Sequence, residues 1–578
     1  MKYQLVLLFF LVSFILCQDE TSYIVFMNDT IKVPHEGGAT VSGTTVVIEK
    51  PGIYLAQGKS DEANIVIKSS SVSLYLQNLE LTSKITAPII VTSGLDNVKI
   101  VVLQKSTLNN LEDSLTTTGE CAAIKVKSKS TVYFENRDTL TLNGICKNII
   151  KGGSQTSLVF KKSEGEYIIN ANKTGISSDG SLEFDGGVFT IVSEYGDGIK
   201  STPDKTDADS LGKILINDGT FNIQSFNDAI IATNNITIIK GVFDIKTENG
   251  YDSTTYDENE SSKGFKLINN ETGCGITVYS GEFSLNTADD AFHSKGDIKI
   301  LSGKYTIYSK DDGISAKNNL ILGKKDAPNE DLDLKVLNSY EALEGMTVTI
   351  YSGKIIATAT DDGINASGEH VERGMGGPRN RTNRTRRNRS RDDPSRQGQG
   401  QEPSGDRPHR MRGNASFYIS IHDGEIYVFC DGDGIDSNGN IFIHGGDINV
   451  FSQGNRDNEP IDHDGNFTLF NGQVLGVGAK GIEYIHAGIK KGNQMHMYYA
   501  GAITKDKLLE IRDENNEVVK EGQITKDINY IFYSSMQLNK NYRFYIHDSS
   551  GSETEYTFTF GTPESGEDDE DVHDDNNL

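Results

Sequence analysis

Asp289–Leu322 reads DDAFHSKGDIKILSGKYTIYSKDDGISAKNNLIL. The apolar residues alternate with polar ones over runs too short for helices, so each run is a strand. The pair D-A-F-H and D-G-I-S, starting at Asp290 and Asp312, repeats one motif 22 residues on. Working outward, the same strand recurs as GVFTIVS, GTFNIQS, GVFDIKT, GEFSLNT, GKYTIYS, GKIIATA, GEIYVFC and GDINVFS. Their leading glycines, Gly187, Gly219, Gly241, Gly281, Gly303, Gly353, Gly424 and Gly446, include three intervals of 22 residues, and the longer intervals are what insertions into a fixed coil produce. A coil of that length built from short strands is a β-solenoid repeat.

A second column sets the register. Four-residue turns, beginning at Ala87, Ala122, Asn148, Thr174, Asp197, Asp228, Lys263, Asp290, Asp312, Glu341, Asp362, Asp433, Glu459 and Lys480, all carry an apolar third residue. That position predicts an inward ladder: Ile199, Ile230, Phe265, Phe292, Ile314, Leu343, Ile364, Ile435, Ile461 and Ile482. These residues are packing, not chemistry. The expected architecture is all-β, a parallel β-helix of about fourteen coils.

The first turn position carries the chemistry. Equivalent residues of adjacent coils lie roughly 4.8 Å apart, so Asp290, Asp312, Glu341, Asp362, Asp433 and Glu459 form a column of carboxylates. Position four adds Glu344, Asn365, Asp436, Asp462 and Glu483, and Asp289, Asp311 and Asp361 stand one residue earlier. Stacked like charges need neutralising, and converging hard oxygens without nitrogen or sulfur are calcium ligands. Metal-ligating candidates are therefore Asp290, Asp311, Asp312, Glu341, Glu344, Asp361, Asp362, Asn365, Asp433, Asp436, Glu459 and Asp462. The alternative is plain turn chemistry, in which each Asp bonds its own backbone beside a glycine. Lys263, Lys266 and Lys480 bracket the acidic run as built-in counter-ions.

Residues 1–17, MKYQLVLLFFLVSFILC, have the form of a signal peptide, which predicts export rather than membrane insertion. Ten N-x-S/T sequons, at Asn28, Asn172, Asn235, Asn259, Asn270, Asn380, Asn383, Asn388, Asn414 and Asn466, fit a glycosylated exported surface. Cys121 and Cys146 lie one repeat apart and are expected either as a disulfide or as buried thiols. A net charge of −26 argues against nucleic acid, and the absence of Trp argues against a tryptophan-lined sugar platform. No G-x-S-x-G, H-E-x-x-H or phosphate loop is present. Tyr305, Tyr308 and Tyr351 flank the acidic turns and are the candidates for outward contact with carbohydrate.

The run from Asp289 to Leu322, then SYEALEGMTVTIYSGKIIATATDDGINASG, DGDGIDSNGNIFIHGGDINV and EPIDHDGNFTLFNGQVLGVG, resembles a bacterial carbohydrate-binding parallel β-helix family described as binding cellulose and polygalacturonate. The likeness runs from about residue 40 to 560 and includes IFYSSMQLNKNYRFYIHD, similar to that family's small terminal β-region. It implies a right-handed, calcium-bearing β-helix similar to pectate lyases, with binding as its activity. The chain departs from the family in an insertion holding twelve arginines between Arg373 and Arg412, which points to an anionic glycan partner or to a solvated loop. The cysteines and sequons fit a eukaryotic secretory homologue. The expected organisation is a signal peptide (1–17), a β-helix (18–500) with the Arg-rich insertion (371–413), a small β-region (501–560) and an acidic tail (561–578). The expected function is secreted, calcium-binding, non-catalytic recognition of polysaccharide, either acidic pectin-like polymers or β-linked glucan. Its rivals are a calcium-dependent uronate lyase, with Lys200, Lys266 or Lys295 as base, and a structural surface or wall adhesin.

Overall fold

The structure is a computed structural model that describes residues 21–28, 30–33, 37–113, 121–203, 211–257, 260–325, 331–367, 416–453, 458–479, 495–535 and 542–561. Each coil contributes three strands in chain order. Face one holds the strand after the leading glycine, such as Val188–Ser193. Face two holds a three-residue strand such as Ile199–Ser201, and face three closes the coil with a strand such as Lys213–Ile216. Each strand pairs in parallel with its counterpart one coil away: Val188–Ser193 with Thr220–Ser225, Ile199–Ser201 with Ile230–Ala232, Lys213–Ile216 with Asn235–Ile238. The described chain is thus a parallel β-solenoid without helices.

The inward ladder is as expected from Ile199 to Ile461, every member at most 3% exposed and in register with the next. Ile482 lies outside the described residues. Two corrections follow. The third position opens a face-two strand rather than completing a turn, so position four points outward and position five returns inward. The ladder also starts two coils earlier than expected, with Val46 aligned on Ile65 and Ile65 on Ile89. Those coils lack the small second residue, and Thr45 and Asn64 there bond each other at 2.7 Å. In most later coils that residue is Gly or Ala, with Pro88, Ile149 and Pro460 the exceptions, and a Cβ on Gly198 would lie 2.6 Å from the carbonyl oxygen of Ala229.

Rings stack inside face one. Tyr167, Phe189, Phe221, Phe243, Phe283 and Tyr305 form a continuous column with centroids 4.9, 5.1, 5.1, 4.7 and 4.5 Å apart. Tyr305, expected to face outward, is 1% exposed and donates its hydroxyl to the carbonyl of Ser302 at 2.9 Å. Its register opposite Phe283 makes it an inward residue, because strand side chains alternate with period two. Truncating a ring in this column removes two stacks at once. Phe243→Ala is expected to cost about 3–5 kcal/mol, measurable as a drop in the urea midpoint.

A disulfide joins Cys121 and Cys146, with Cα atoms 5.4 Å apart, while Cys430 is a buried thiol. At the C-terminal end the last face-one strand, Gln473–Gly478, pairs antiparallel with Ile528–Ser535, which also pairs with Met495–Ile503. This covers the open sheet edge. Met495–Ile503 crosses the boundary expected at residues 500 and 501. Leu475 and Val477 of the last coil share a second core with Leu509, Ile511 and Phe544. No helix among the described residues is long and apolar enough to cross a membrane.

Candidate metal centre

The carboxylate column runs along the corner between faces one and two. In its upper part lysines neutralise it. Lys200 Nζ lies 2.8 Å from Asp197, Lys266 Nζ 3.0 Å from Asp228, and Lys263 Nζ 2.6 and 2.7 Å from Asp289 and Asp290. His293 Nδ1 is a further 2.7 Å from Asp290. Burial opposes ionisation of Asp290, yet the Lys263 ammonium and His293 hold its carboxyl below the usual carboxylate range. Of the lysines expected as counter-ions, Lys263 pairs with Asp289 and Asp290 and Lys266 with Asp228, while Lys480 lies outside the described residues. Lys200 and Lys266, weighed as lyase bases, each sit in an ion pair with an aspartate of the column.

Further down the corner the acids crowd one another. Glu341 is pushed up to about 8, Asp433 to about 7 and Asp436 to about 9, first by burial and then by neighbouring carboxylates. Asp312 is raised well above its ordinary value for the same reasons. Lys317 reaches Glu344 at 3.3 Å, and Glu344 also accepts from Ser315.

The column bonds from coil to coil rather than within its own turns. Asp290 Oδ1 accepts the backbone N–H of Asp312 at 3.0 Å, Asp312 that of Glu341 at 3.3 Å, Asp362 that of Asp433 at 2.8 Å, and Asp433 that of Glu459 at 2.5 Å. Each bond engages one carboxylate oxygen, and the second oxygen of Asp290 is taken by Lys263 and His293.

Three groups bring ligand atoms within 4.8 Å of one another: Asp289, Asp290 and Asp311; Glu341, Asp361 and Asp362; and Asp362, Asp433 and Asp436. The Lys263 ammonium already sits on the first. The other two share Asp362. Beside them Asn365, 6% exposed, donates Nδ2 to Glu341 Oε2 at 3.1 Å, while its buried Oδ1 has no hydrogen-bond donor. A buried amide oxygen left without a donor is costly unless something accepts its lone pairs. An oxygen-only set of carboxylates plus this amide fits calcium. Of the remaining candidates, Glu459 donates its N–H to Asp433, and Asp462 is exposed and accepts from the backbone of His463.

Of the tyrosines, Tyr308 lies outward on face one, 5.3 Å from the ring of Tyr251. Tyr251 escaped the sequence reading. Its signal was the interval from Gly241 to Gly281, 40 residues where the basic coil takes 22, which marks an insertion at this corner. Tyr351 stands at the other end of face one, at the corner with face three. There it begins an outward column with His422, His444 and Phe470, rings 4.8, 4.6 and 4.7 Å apart. It therefore does not flank the acidic column, because two residues before a leading glycine is the opposite corner of the coil. Among the sequons, Asn28, Asn270 and Asn466 are exposed and Asn172 and Asn235 half-buried. Asn259, Asn380, Asn383, Asn388 and Asn414, the Arg-rich insertion, residues 1–17 and the acidic tail lie outside the described residues.

Residues 42–313 match the model of a family described as carbohydrate-binding domain-containing protein. A curated relative, a carbohydrate-binding domain-containing protein of Acetivibrio thermocellus, is 27% identical over 179 residues, which are 30% of this chain and 54% of that protein. The chain thus spans about half the length of that relative. A solved structure, the polysaccharide lyase-like protein from C. thermocellum in a gadolinium derivative, is 23% identical and covers 46% of this chain and 100% of its own, with a TM-score of 0.36.

Proposed function

We propose that this is a secreted, non-catalytic polysaccharide-binding protein whose acidic corner is stapled by calcium. The observation that carries the metal is the pair of acidic groups sharing Asp362, with the unpartnered oxygen of Asn365 beside them. Support for carbohydrate comes from the family match over residues 42–313, and from a solenoid that repeats one surface along its axis, so that weak contacts sum over a polymer. Glu341, Asp361, Asp362, Asn365, Asp433 and Asp436 would hold the ions. Bound there, calcium would neutralise the carboxylates and offer coordination positions to the oxygens of an acidic glycan.

The test is retention on polygalacturonate and on β-glucan, with and without calcium. Binding to polygalacturonate that needs calcium, with no unsaturated uronate released, is the expected result. Calcium-dependent turnover would make the protein a lyase, and no retention on any glycan would favour the structural adhesin. The Arg-rich insertion is proposed to add affinity for anionic glycan. Deleting residues 376–412 should then weaken polygalacturonate binding most at low salt, where screening is least.

A further inference from the structure

The outward surface of face one is bounded at both ends, and its edges carry opposite chemistry. At the upper end the segment Glu248–Tyr256 leaves its own coil and reaches two coils down. Its shape is set by Glu248, whose carboxylate accepts from the backbone N–H of Asn249 at 2.5 Å and from the hydroxyls of Ser253 and Thr255, the latter at 2.6 Å. Gly250, with φ +91°, lets the chain turn against Asn286: a Cβ there would lie 2.3 Å from Asn286 Oδ1, the atom that accepts the Tyr251 N–H at 2.8 Å. The result places the Tyr251 ring beside Tyr308, tilted by 32°. Lys310, next to Tyr308 on the same corner, donates to the carbonyl of Ser253 and lies 5.9 Å from the Tyr256 ring centre.

Below this wall the row of face one that continues from Tyr308 carries Asn338 and Thr358, with the half-buried Leu337 beside Asn338, and the adjacent outward row carries Lys335 and Ile356. Asn338 is in register with Tyr308, and Thr358 follows, in register with Phe429. At the lower end Phe429 packs on Phe451, at 5.3 Å, and against the core of the C-terminal β-region. Lys526 of that region reaches over to Asp431 and to the carbonyl of Cys430 at 3.2 Å. The surface between Tyr308 and Phe429 is therefore a shallow trough with an aromatic wall and a lysine at each end. Its long edge is the corner that carries Glu341, Asp361, Asp362 and Asp433. From Tyr308 to Phe429 is three coil steps, roughly 14 Å at the parallel strand spacing.

We infer that this trough is the glycan site, and that it takes a short run of an acidic polysaccharide. The inference rests on the proposed function and names its surface. Charge complementarity selects the occupant: Lys526 is already paired with Asp431, so it is the cation-binding groups along one edge that suit a polymer bearing carboxylates. The Tyr251–Tyr308 pair supplies a rigid, amphipathic surface for one sugar ring, with little side-chain entropy to lose.

The test uses the full chain, loaded with calcium, and polygalacturonate as the probe in titration calorimetry. Tyr251→Ala should weaken binding about tenfold while calcium uptake and the unfolding midpoint stay at wild-type values, and Tyr251→Phe should restore most of the affinity. Tyr195→Ala, which removes a 59%-exposed tyrosine higher on the solenoid, should bind as wild type. Wild-type affinity in Tyr251→Ala would overturn the trough while leaving polysaccharide binding intact. Loss of β-glucan binding with polygalacturonate binding unchanged would overturn the acidic occupant. If the wild-type chain retains no glycan at all, the proposed function itself fails and this site with it.

Discussion

Chelating calcium should lower the unfolding midpoint, and by much more at pH 8 than at pH 5. The reason is the direction in which the corner acids are shifted. Glu341, Asp433 and Asp436 sit near 8, 7 and 9 in the folded protein, against about 4 in an unfolded chain. Between those values the folded state without metal holds more protons than the unfolded state, so its stability falls as pH rises above about 4 and is lowest once pH has passed the folded values. Calcium acts in the opposite sense, because it binds the deprotonated groups and protons compete with it. At pH 5 the acids are largely protonated when folded and little calcium is held. At pH 8 calcium replaces the protons, and an ion present at 100 times its dissociation constant stabilises by about 2.7 kcal/mol, or roughly 5 kcal/mol for two. Differential scanning calorimetry at the two pH values, with and without chelator, reads the difference. A shift that is equal at both, or larger at pH 5, would remove the metal from the corner.

Lys263→Ala is expected to be the most damaging single change on this corner in chelator and a mild one in calcium. Lys263 Nζ is 2.6 Å from Asp289 and 2.7 Å from Asp290, both buried. Removing one partner of a buried ion pair costs about 3–5 kcal/mol, since the remaining charges stay desolvated. With the ammonium gone, however, Asp289, Asp290 and Asp311 become a third oxygen group of the same kind as the two below it. Calcium should occupy it, restore most of the lost stability and raise the bound calcium by one ion per chain. A variant that calcium does not rescue would mean that this group recognises the lysine and not cations in general.

Much of this was legible in the residues. The apolar third position from Ile199 to Ile461 gave the register of the solenoid because only an inward ladder keeps one position apolar through so many coils. The carboxylate column followed from that register, and so did the counter-ion role of Lys263. What failed did so for geometric reasons. Tyr305 and Tyr308 lie three residues apart, so strand alternation sends one inward and one outward, and the glycine two residues before Tyr305 fixes which. Tyr351 was assigned to the wrong corner because closeness to an acidic turn in sequence is not closeness around a coil. The first two coils were missed because Thr45 and Asn64 stand where most later coils have Gly or Ala. Tyr251 meets Tyr308 across two coils, a contact that no local pattern encodes.

The central claim is that the groups sharing Asp362 hold calcium in the native protein. Calcium titration calorimetry on the wild-type chain at pH 8, beside Asp362→Asn, tests it most directly. The account predicts uptake of two ions by the wild type and loss of both in the variant, since Asp362 belongs to both groups; a wild-type chain that takes up no calcium, or an Asp362→Asn chain that binds it unchanged, would contradict it.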